Sequence, residues 1–185
     1  MKKSQRTKQR LVEAAIRVIM REGIEHVSVN QVIEEAGSSK GSFYYYFKDL
    51  DALLQAAFLY NLERSLQDFS IEADKSMQEN LRLFGQYLID SATDKRSELA
   101  MMFLWISKCY QDDGLRASFA KMQSSIVDHN SVTEQFVRQY ELSAEKLLML
   151  DMAVLGLLVH AMMLEDREQL LSVWVRLSEA ICQLP

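Results

Sequence analysis

Proline is missing from almost the whole of this 185-residue sequence, because the single proline is Pro185. Proline breaks α-helices more strongly than any other residue, so helices can continue throughout the preceding residues. Valine, isoleucine and threonine, which favour strands, together supply only 24 positions, or 13%. Hydrophobic residues make up 49% and charged residues 25%, the balance of a folded soluble protein. The sequence therefore predicts an all-α protein.

Charge is distributed unevenly along the chain. The net charge is −5 overall, but residues 1–50 carry +3 and residues 51–185 carry −8. The first ten residues contain no acid and five basic residues: Lys2, Lys3, Arg6, Lys8 and Arg10. A basic arm of this kind is suited to phosphate groups. The asymmetry predicts a small basic module joined to a larger acidic one.

Cysteine and histidine patterns give no sign of a metal site. Cys109 and Cys182 lie far apart and lack metal-ligand spacing, and the three histidines are not closely paired. We therefore expect no disulfide framework, no metal and no cofactor, and the cysteine usage fits a reducing cytoplasm. The apolar stretch near the amino end is interrupted by Glu13 and Arg17, so it does not resemble a secretory signal.

Residues 147–164 form an 18-residue stretch that is nonpolar except at Asp151 and His160. A membrane span needs about 20 apolar residues, and two ionisable groups near its middle would be costly in lipid. We therefore expect a helix buried within or between subunits, and no membrane partner.

Apolar spacing predicts about nine helices in total. The first covers residues 4–22 and ends before Gly23, while Ser28 with Gln31 forms a capping box for the second. Gly37 provides a tight turn, and Ser39 caps a third helix over residues 40–46. Asp49 begins a fourth helix that continues to about residue 70, and another long helix is expected after Gly114.

Five consecutive aromatic residues, 43–47, lie between Lys40 and Lys48. On a helix, Phe43 and Phe47 share one face, whereas the tyrosines between them point elsewhere. Phenol groups can donate to phosphate oxygens and lie against thymine methyl groups, and small residues allow close approach to DNA. The alternative is an aromatic helix buried in a core, which the preceding turn, the basic arm and the local charge all disfavour.

Residues 10–58, and above all GSSKGSFYYYFKDLDALLQAAF from Gly37 to Phe58, resemble the DNA-binding region of the TetR family of bacterial transcriptional regulators. The resemblance covers roughly the first third of the chain. It implies a helix-turn-helix domain over residues 1–48 and a larger helical effector-binding and dimerisation domain over residues 49–185. It also implies that residues 40–46 form the recognition helix in the major groove.

The DNA-binding residues expected from these patterns and from the resemblance lie in the arm, in the two helices and in the turn between them. They are Lys3, Arg6, Ser28, Asn30, Ser39, Lys40, Gly41, Ser42, Tyr44, Tyr45, Tyr46 and Lys48. The resemblance places Lys40, Ser42 and Tyr45 near bases. It assigns Tyr44, Tyr46 and Lys48 to phosphates, with Ser28 assisting at its helix N-terminus.

The resemblance further implies a homodimer that reads a palindromic double-stranded operator and is released from it by a small molecule. The last two helices carry more apolar positions than one subunit needs, and Leu155, Val159, Leu171 and Trp174 are the interface candidates. The alternative is that they fill the core of one subunit.

A central apolar helix supplies the candidates for contact with an apolar or amphipathic effector, which are Met101, Trp105, Cys109 and Tyr110. For each of them the ordinary hydrophobic core is the alternative, and it is the more common role of such residues. Lys108 would lower the pKa of Cys109 and make it a redox or electrophile sensor, unless the thiol is buried and inert.

Two other functional classes stay open at this point. An all-helical enzyme would use Asp128, His129 or Asp151 with His160, but no nucleophile, base and orienting group occur at a recognisable spacing, so we assign no catalytic residue. A helical adaptor would use its helix-turn-helix to bind protein instead of DNA. The leading interpretation is a ligand-responsive repressor.

Overall fold

The structure, a computed structural model, describes residues 3–94, 96–117 and 132–184. Within these ranges all regular structure is helical, which confirms the predicted class. The α-helices are α1 (Lys3–Glu22), α2 (Val29–Glu35), α3 (Lys40–Tyr46), α4 (Leu50–Leu66), α5 (Met77–Asp94), α6 (Arg96–Gln111), α7 (Val132–Tyr140), α8 (Ala144–Met163) and α9 (Arg167–Cys182). A 3₁₀ turn, Ile24–His26, follows α1. Residues 113–117 are helical, but most of the helix expected after Gly114 lies outside the described residues.

The chain forms two compact units, each built from two separate stretches of sequence. Unit 1 contains residues 1–64 and 97–121, and unit 2 contains residues 65–96 and 122–185. Unit 1 therefore includes α6 from residue 97 onwards together with the helix-turn-helix, although residues 47–95 separate α6 from α3 in the sequence. The division at residues 48 and 49 is based on function and stays a prediction.

The amino-terminal part of unit 1 is organised by the apolar face of α1. Leu11, Ala15 and Val18 recur at helical spacing and are fully buried. Val32 of α2 and Phe43 of α3 are also fully buried, and both helices contact α1. The glycines expected at the ends of α1 and α2 have the predicted positive φ angles, 88° at Gly23 and 54° at Gly37.

In the rest of unit 1, α4 and α6 are linked by an aromatic contact. Asp49 begins α4 as predicted, since its carboxylate accepts a hydrogen bond of 2.8 Å from the backbone N–H of Ala52. Phe58 of α4 and Trp105 of α6 stack with ring centroids 5.4 Å apart and ring planes 16° apart. Both side chains are buried. This stack joins α6 to the helix that follows the helix-turn-helix.

Unit 2 is held together by α5, α8 and α9, which contact one another. Trp174 of α9 is 1% exposed, and its indole N–H donates a hydrogen bond of 2.6 Å to the carbonyl of Leu81 on α5. The indole lies so close to α5 that a Cβ atom on Gly85 would be 2.1 Å from the ring. Only a glycine allows this approach without a shift of α9.

Helix α8 has the length and composition of a membrane span, but only 17% of its apolar window is buried in the structure. Leu150, Leu157 and Leu158 are buried within unit 2. Many other apolar side chains of α8 are exposed, including Met152 (66%) and Met163 (78%). Most of α8 is therefore not buried within one subunit. Burial between two subunits is the alternative that stays a prediction.

Candidate nucleic-acid interface

The turn between α2 and α3 is fixed by hydrogen bonds that cap both helices. The Ser28 hydroxyl accepts from the N–H of Gln31, and the Gln31 side chain accepts from the N–H of Ser28 at 2.9 Å, so the predicted capping box is present. The Ser39 hydroxyl accepts a hydrogen bond of 3.1 Å from the N–H of Ser42. Both serines are exposed and both define helix starts. The orientation of α3 is therefore set locally.

Helix α3 separates its aromatic residues into a buried pair and an exposed pair. Phe43 is fully buried and Phe47 is 4% exposed, with ring centroids 6.0 Å apart. Tyr44 is 54% exposed and Tyr45 is 78% exposed. Burial of the two phenylalanines anchors α3 in unit 1 and leaves the two phenol groups on its outer side. The alternative of a wholly buried aromatic helix is therefore wrong.

The other predicted α3 contacts differ in how accessible they are. Lys40 and Gly41 are exposed, Ser42 is half-buried, and the Lys48 side chain is 91% exposed, with its amine 3.8 Å from the Asp49 carboxylate. Tyr46 is half-buried, and its hydroxyl donates a hydrogen bond of 3.1 Å to Ser4 Oγ. Asn30 is exposed in the first turn of α2. The structure thus groups Lys40, Gly41, Tyr44, Tyr45 and Lys48 around the exposed side of α3.

The basic residues near the amino end belong to α1, and two of them are engaged within unit 1. The Arg10 guanidinium donates to the carbonyl of Ala36 and, at 3.1 Å, to that of Gly37, so it caps the end of α2. The Lys8 amine lies 5.9 Å from the Phe47 ring centroid. Arg6 is exposed, and Lys3 is the first residue of α1, where its side chain lies outside the described part. Arg6 is therefore an exposed cation on α1, and its contact with a phosphate stays a prediction.

A polar network that the sequence analysis missed connects α1 with α4. The Tyr60 hydroxyl donates a hydrogen bond of 2.7 Å to the Glu13 carboxylate, which also accepts one of 2.9 Å from the Gln9 amide. The Tyr60 hydrogen bond is the main reason why the pKa of Glu13 lies below its ordinary value. The guanidinium of Arg64 lies 5.8 Å from the Tyr60 ring centroid. This network holds α4 against α1, the helix on which α2 and α3 pack.

A second unforeseen set of contacts holds α1 against α2. The Glu35 carboxylate pairs with Arg17 at 2.8 Å and with Arg21 at 3.0 Å. The hydrogen bond from Arg17, followed by that from Arg21, keeps the pKa of Glu35 below its ordinary value. Because the partners are 14 and 18 residues apart, helical periodicity alone gives no signal for this cluster.

The four candidate effector residues of α6 do not lie together. Met101 and Trp105 are fully buried, and Cys109 is 6% exposed, so these three residues share one inward face. Tyr110 is 81% exposed and points away from them. Burial, with a smaller effect from Asp112, raises the pKa of the Cys109 thiol, while Lys108 pairs with Glu25 at 3.0 Å. The prediction that Lys108 lowers the pKa of Cys109 is therefore wrong, and the alternative of a buried thiol remains.

The four candidate interface residues also divide into two groups. Leu155 is 39% exposed and Val159 is half-buried, and both belong to an exposed apolar stripe of α8. Leu171 is half-buried on α9. Trp174 lies in the core of unit 2, because α9 turns it towards Leu81 and Gly85. The large apolar residues that α9 exposes are Val173 and Leu177, which the sequence analysis did not select as interface residues.

Comparison with known proteins identifies the amino-terminal segment. Residues 11–57 match the sequence profile of the bacterial regulatory proteins of the tetR family. The nicotine-responsive transcriptional repressor HdnoR of Paenarthrobacter nicotinovorans is 32% identical over 83 residues, a match that covers 45% of this chain and 42% of HdnoR. The chain spans only 24–42% of the length of the first curated relatives that it matches.

Solved structures extend the similarity to the whole fold. GusR of Salmonella enterica matches with a TM-score of 0.77 and 15% identity, covering 100% of this chain and 99% of GusR. The multidrug binding protein EbrR, solved in complex with ethidium, matches with a TM-score of 0.70 and 21% identity over 92% of this chain and 97% of EbrR. At these identities the likeness concerns the fold. Residues 11–57 therefore carry a helix-turn-helix region that matches the tetR family in sequence, and the chain as a whole has a TetR-like fold.

Proposed function

We propose that this protein regulates transcription by binding a palindromic DNA operator as a homodimer, most simply as a repressor in the bacterial cytoplasm. The observation that carries the proposal is the division of α3 into two sides. Phe43 and Phe47 are buried, whereas Tyr44 and Tyr45 are exposed next to Lys40 and Lys48. A short helix with a rigid apolar anchor and a polar, cationic outer side is suited to the major groove.

The exposed residues suggest a division of roles on the DNA. Tyr45 is the most exposed aromatic residue of α3. Together with Lys40 and Ser42, it is suited to contact with base edges. Tyr44, Lys48 and Arg6 are suited to phosphates, as are Lys3 and Asn30. Ser28 and Ser39 contribute by fixing helix starts whose backbone N–H groups favour anions. Tyr46 acts mainly through its bond to Ser4, which holds the start of α1 against α3.

A second copy of this chain is the partner that we propose for the exposed apolar side of α8 and α9. Contiguous exposed apolar surface on a soluble protein marks an interaction site. The side chains concerned are Leu148, Met152, Leu155, Val159 and Met163 of α8 with Val173 and Leu177 of α9. Two helices from each subunit would cover one another about a two-fold axis. Lipid is a poorer cover, because Asp151 and His160 are exposed on the same helix.

A small-molecule effector is proposed to release the DNA. HdnoR is named as nicotine-responsive and EbrR binds ethidium, so relatives and structural neighbours respond to or bind small organic molecules. Met101, Trp105 and Cys109 lie in the same compact unit as the helix-turn-helix. A hundredfold loss of operator affinity requires a coupling free energy of about 2.7 kcal/mol, within the usual range. A ligand that separates α4 from α6 would supply this coupling if it binds one arrangement better than the other.

Selection of bound duplexes from a random DNA pool tests this proposal. We expect enrichment of a palindromic sequence, protected as two half-sites in footprinting. Tyr45→Ala should weaken or broaden the selection because it removes the most exposed ring of α3. Tyr110→Ala, which removes an equally exposed ring from α6, is the matched control and should select the same sequence. Failure of the wild-type protein to enrich any duplex would refute the proposal.

A further inference from the structure

Trp105 has a buried hydrogen-bond donor that is not used. Its side chain is fully buried on α6, and Nε1 has no acceptor among the residues that the structure describes. Buried polar groups almost always have a partner, so such a donor needs an explanation. The other tryptophan provides a direct comparison within the same chain. Trp174 is equally buried, and its Nε1 donates to the Leu81 carbonyl at 2.6 Å.

The ring that stacks on Trp105 and the side chains that share its buried face of α6 are uncharged. Its ring stacks on Phe58 with a centroid distance of 5.4 Å. Met101 and Cys109 lie one turn before and one turn after it on α6, and both are buried. Burial raises the pKa of the Cys109 thiol and so disfavours its charged form. A flat, uncharged molecule suits these side chains, whereas an ion would lose its hydration without gaining a counter-charge.

We propose that the Trp105 indole N–H is the hydrogen-bond donor that recognises the effector. The effector is then a flat, uncharged aromatic or heteroaromatic molecule with a ring nitrogen or carbonyl oxygen as acceptor. This inference rests on the proposed function, because it assumes an effector-responsive regulator. It adds the donor atom and the chemical class of the ligand.

The same geometry couples recognition to α4. Because Trp105 is fully buried, an acceptor reaches Nε1 only when the packing around it opens, and we expect this opening at the Phe58 stack between α4 and α6. Tyr60, which lies two residues after Phe58 on α4, donates a hydrogen bond to Glu13 of α1. The next residue of α4, Asn61, is buried. Movement of α4 at Phe58 is therefore transmitted to the helix that supports α2 and α3. Ligand binding at Trp105 would bias the position of the recognition helix.

Two probes of the same shape test the proposal on the full-length protein. Quinoline has a ring nitrogen acceptor, and naphthalene lacks it. The two indole N–H signals are followed by ¹⁵N–¹H NMR and assigned with Trp105→Phe and Trp174→Phe. In the free protein we expect the Trp105 proton upfield of the Trp174 proton, because it is not hydrogen-bonded. Quinoline should move the Trp105 signal downfield, and naphthalene should not.

Titration should give quinoline an affinity about three- to tenfold higher than that of naphthalene, the equivalent of one neutral hydrogen bond. Trp105→Phe keeps the aromatic stack but lacks the donor, so it should remove this preference. Trp174→Phe is the matched control and should retain it. Equal affinities, no quinoline binding, or a Trp105 signal that quinoline leaves unmoved would overturn the proposal. The signal in the wild-type protein decides the matter even if Trp105→Phe does not fold.

Operator binding, measured on the same samples, separates this inference from the proposed function. Selective operator binding together with an unresponsive Trp105 signal would remove the inference and leave the regulator intact. A responsive Trp105 signal without any operator selectivity would remove the proposed function and leave a small-molecule site.

Discussion

Cationic residues near α3 fall into two kinds that the sequence does not distinguish. The Lys48 side chain is 91% exposed, whereas Arg10 is bonded to the backbone at the end of α2. Both residues appear equally suited to phosphate when only charge and position along the chain are known. The difference arises because the acceptors of Arg10 are 26 and 27 residues away. Sequence reasoning could therefore identify the basic module but not the cations available to DNA.

Lys48→Ala and Arg10→Ala should consequently change different properties, the first operator affinity and the second stability. Lys48→Ala should lower operator affinity on the order of tenfold, because each dimer loses two phosphate contacts, while its thermal unfolding stays unchanged. Arg10→Ala should lower the free energy of unfolding by about 1 kcal/mol, because carbonyls at the end of α2 lose their partner. Gel-shift titration and denaturant unfolding measure the two quantities. A stable Arg10→Ala protein, or full affinity in Lys48→Ala, would contradict this division.

The Glu13 carboxylate predicts a pH-dependent contribution to stability. Its pKa is lowered from 4.5 in the folded state, chiefly by the Tyr60 hydrogen bond, so the native state favours the ionised form. Its contribution is complete above the unfolded-state pKa and is lost as the pH falls through the lower folded-state pKa. Glu13→Gln should reduce the free energy of unfolding by about 1 kcal/mol at pH 7. The difference from wild type should shrink below about pH 4. Urea titrations at both pH values test this, and a constant difference would argue against the ionised pair.

At the scale of single helices, local signals predicted starts better than ends. Ser28, Ser39 and Asp49 all cap the helices expected from the sequence, because an N-cap and its partner are only three residues apart. The apolar spacing predicts that α4 continues to about residue 70, but the helix ends at Leu66. Phe69 continues the apolar pattern for a different reason, since it packs on Phe84 of α5 at 4.9 Å. Apolar spacing reports burial, and here burial continues beyond the helix.

The contact between α5 and α9 predicts opposite effects of two glycine substitutions. Gly85→Ala would place a Cβ atom 2.1 Å from the Trp174 indole, so it should destabilise unit 2 by about 1–3 kcal/mol. Gly156→Ala meets no atom within 4 Å and lies inside α8, so it should be neutral or stabilising by up to about 1 kcal/mol. Thermal unfolding of both variants measures the difference. A Gly85→Ala protein as stable as wild type would show that α9 is not locked on α5 in this way.

For the molecule as a whole, the all-α class could be predicted from composition and the helix-turn-helix from one motif, but the faces of the last two helices could not. Helix α8 is apolar on nearly all sides, so periodicity cannot tell its core side from its outer side. The sequence predicts Trp174 as an interface residue because α9 carries many apolar positions, yet an apolar residue equally suits the core, where the structure places it. Leu155 and Val159 lie on the outer stripe of α8, and their role in an interface stays a prediction.

The proposed homodimer predicts that a charge on the outer stripe causes dissociation without unfolding. Leu155→Asp should shift sedimentation from dimer to monomer, because a carboxylate would be buried opposite an apolar partner. Met20→Asp, at an apolar residue of equal exposure on α1, is the matched control and should stay dimeric. Trp174→Ala should instead destabilise unit 2 by about 3–5 kcal/mol, because it leaves a cavity. An intact Leu155→Asp dimer would mean that another surface mediates assembly.

The central claim is that two copies of α3 enter duplex DNA and are held there by cationic side chains. The salt dependence of binding to the selected operator tests it most directly. With about 6–10 phosphate contacts per dimer, affinity should fall about 10³–10⁵-fold between 50 and 200 mM salt, and Lys48→Ala should reduce the log–log slope by about 2. An affinity that hardly changes with salt, with the same slope in the variant, would contradict DNA as the ligand and favour a protein partner for the helix-turn-helix.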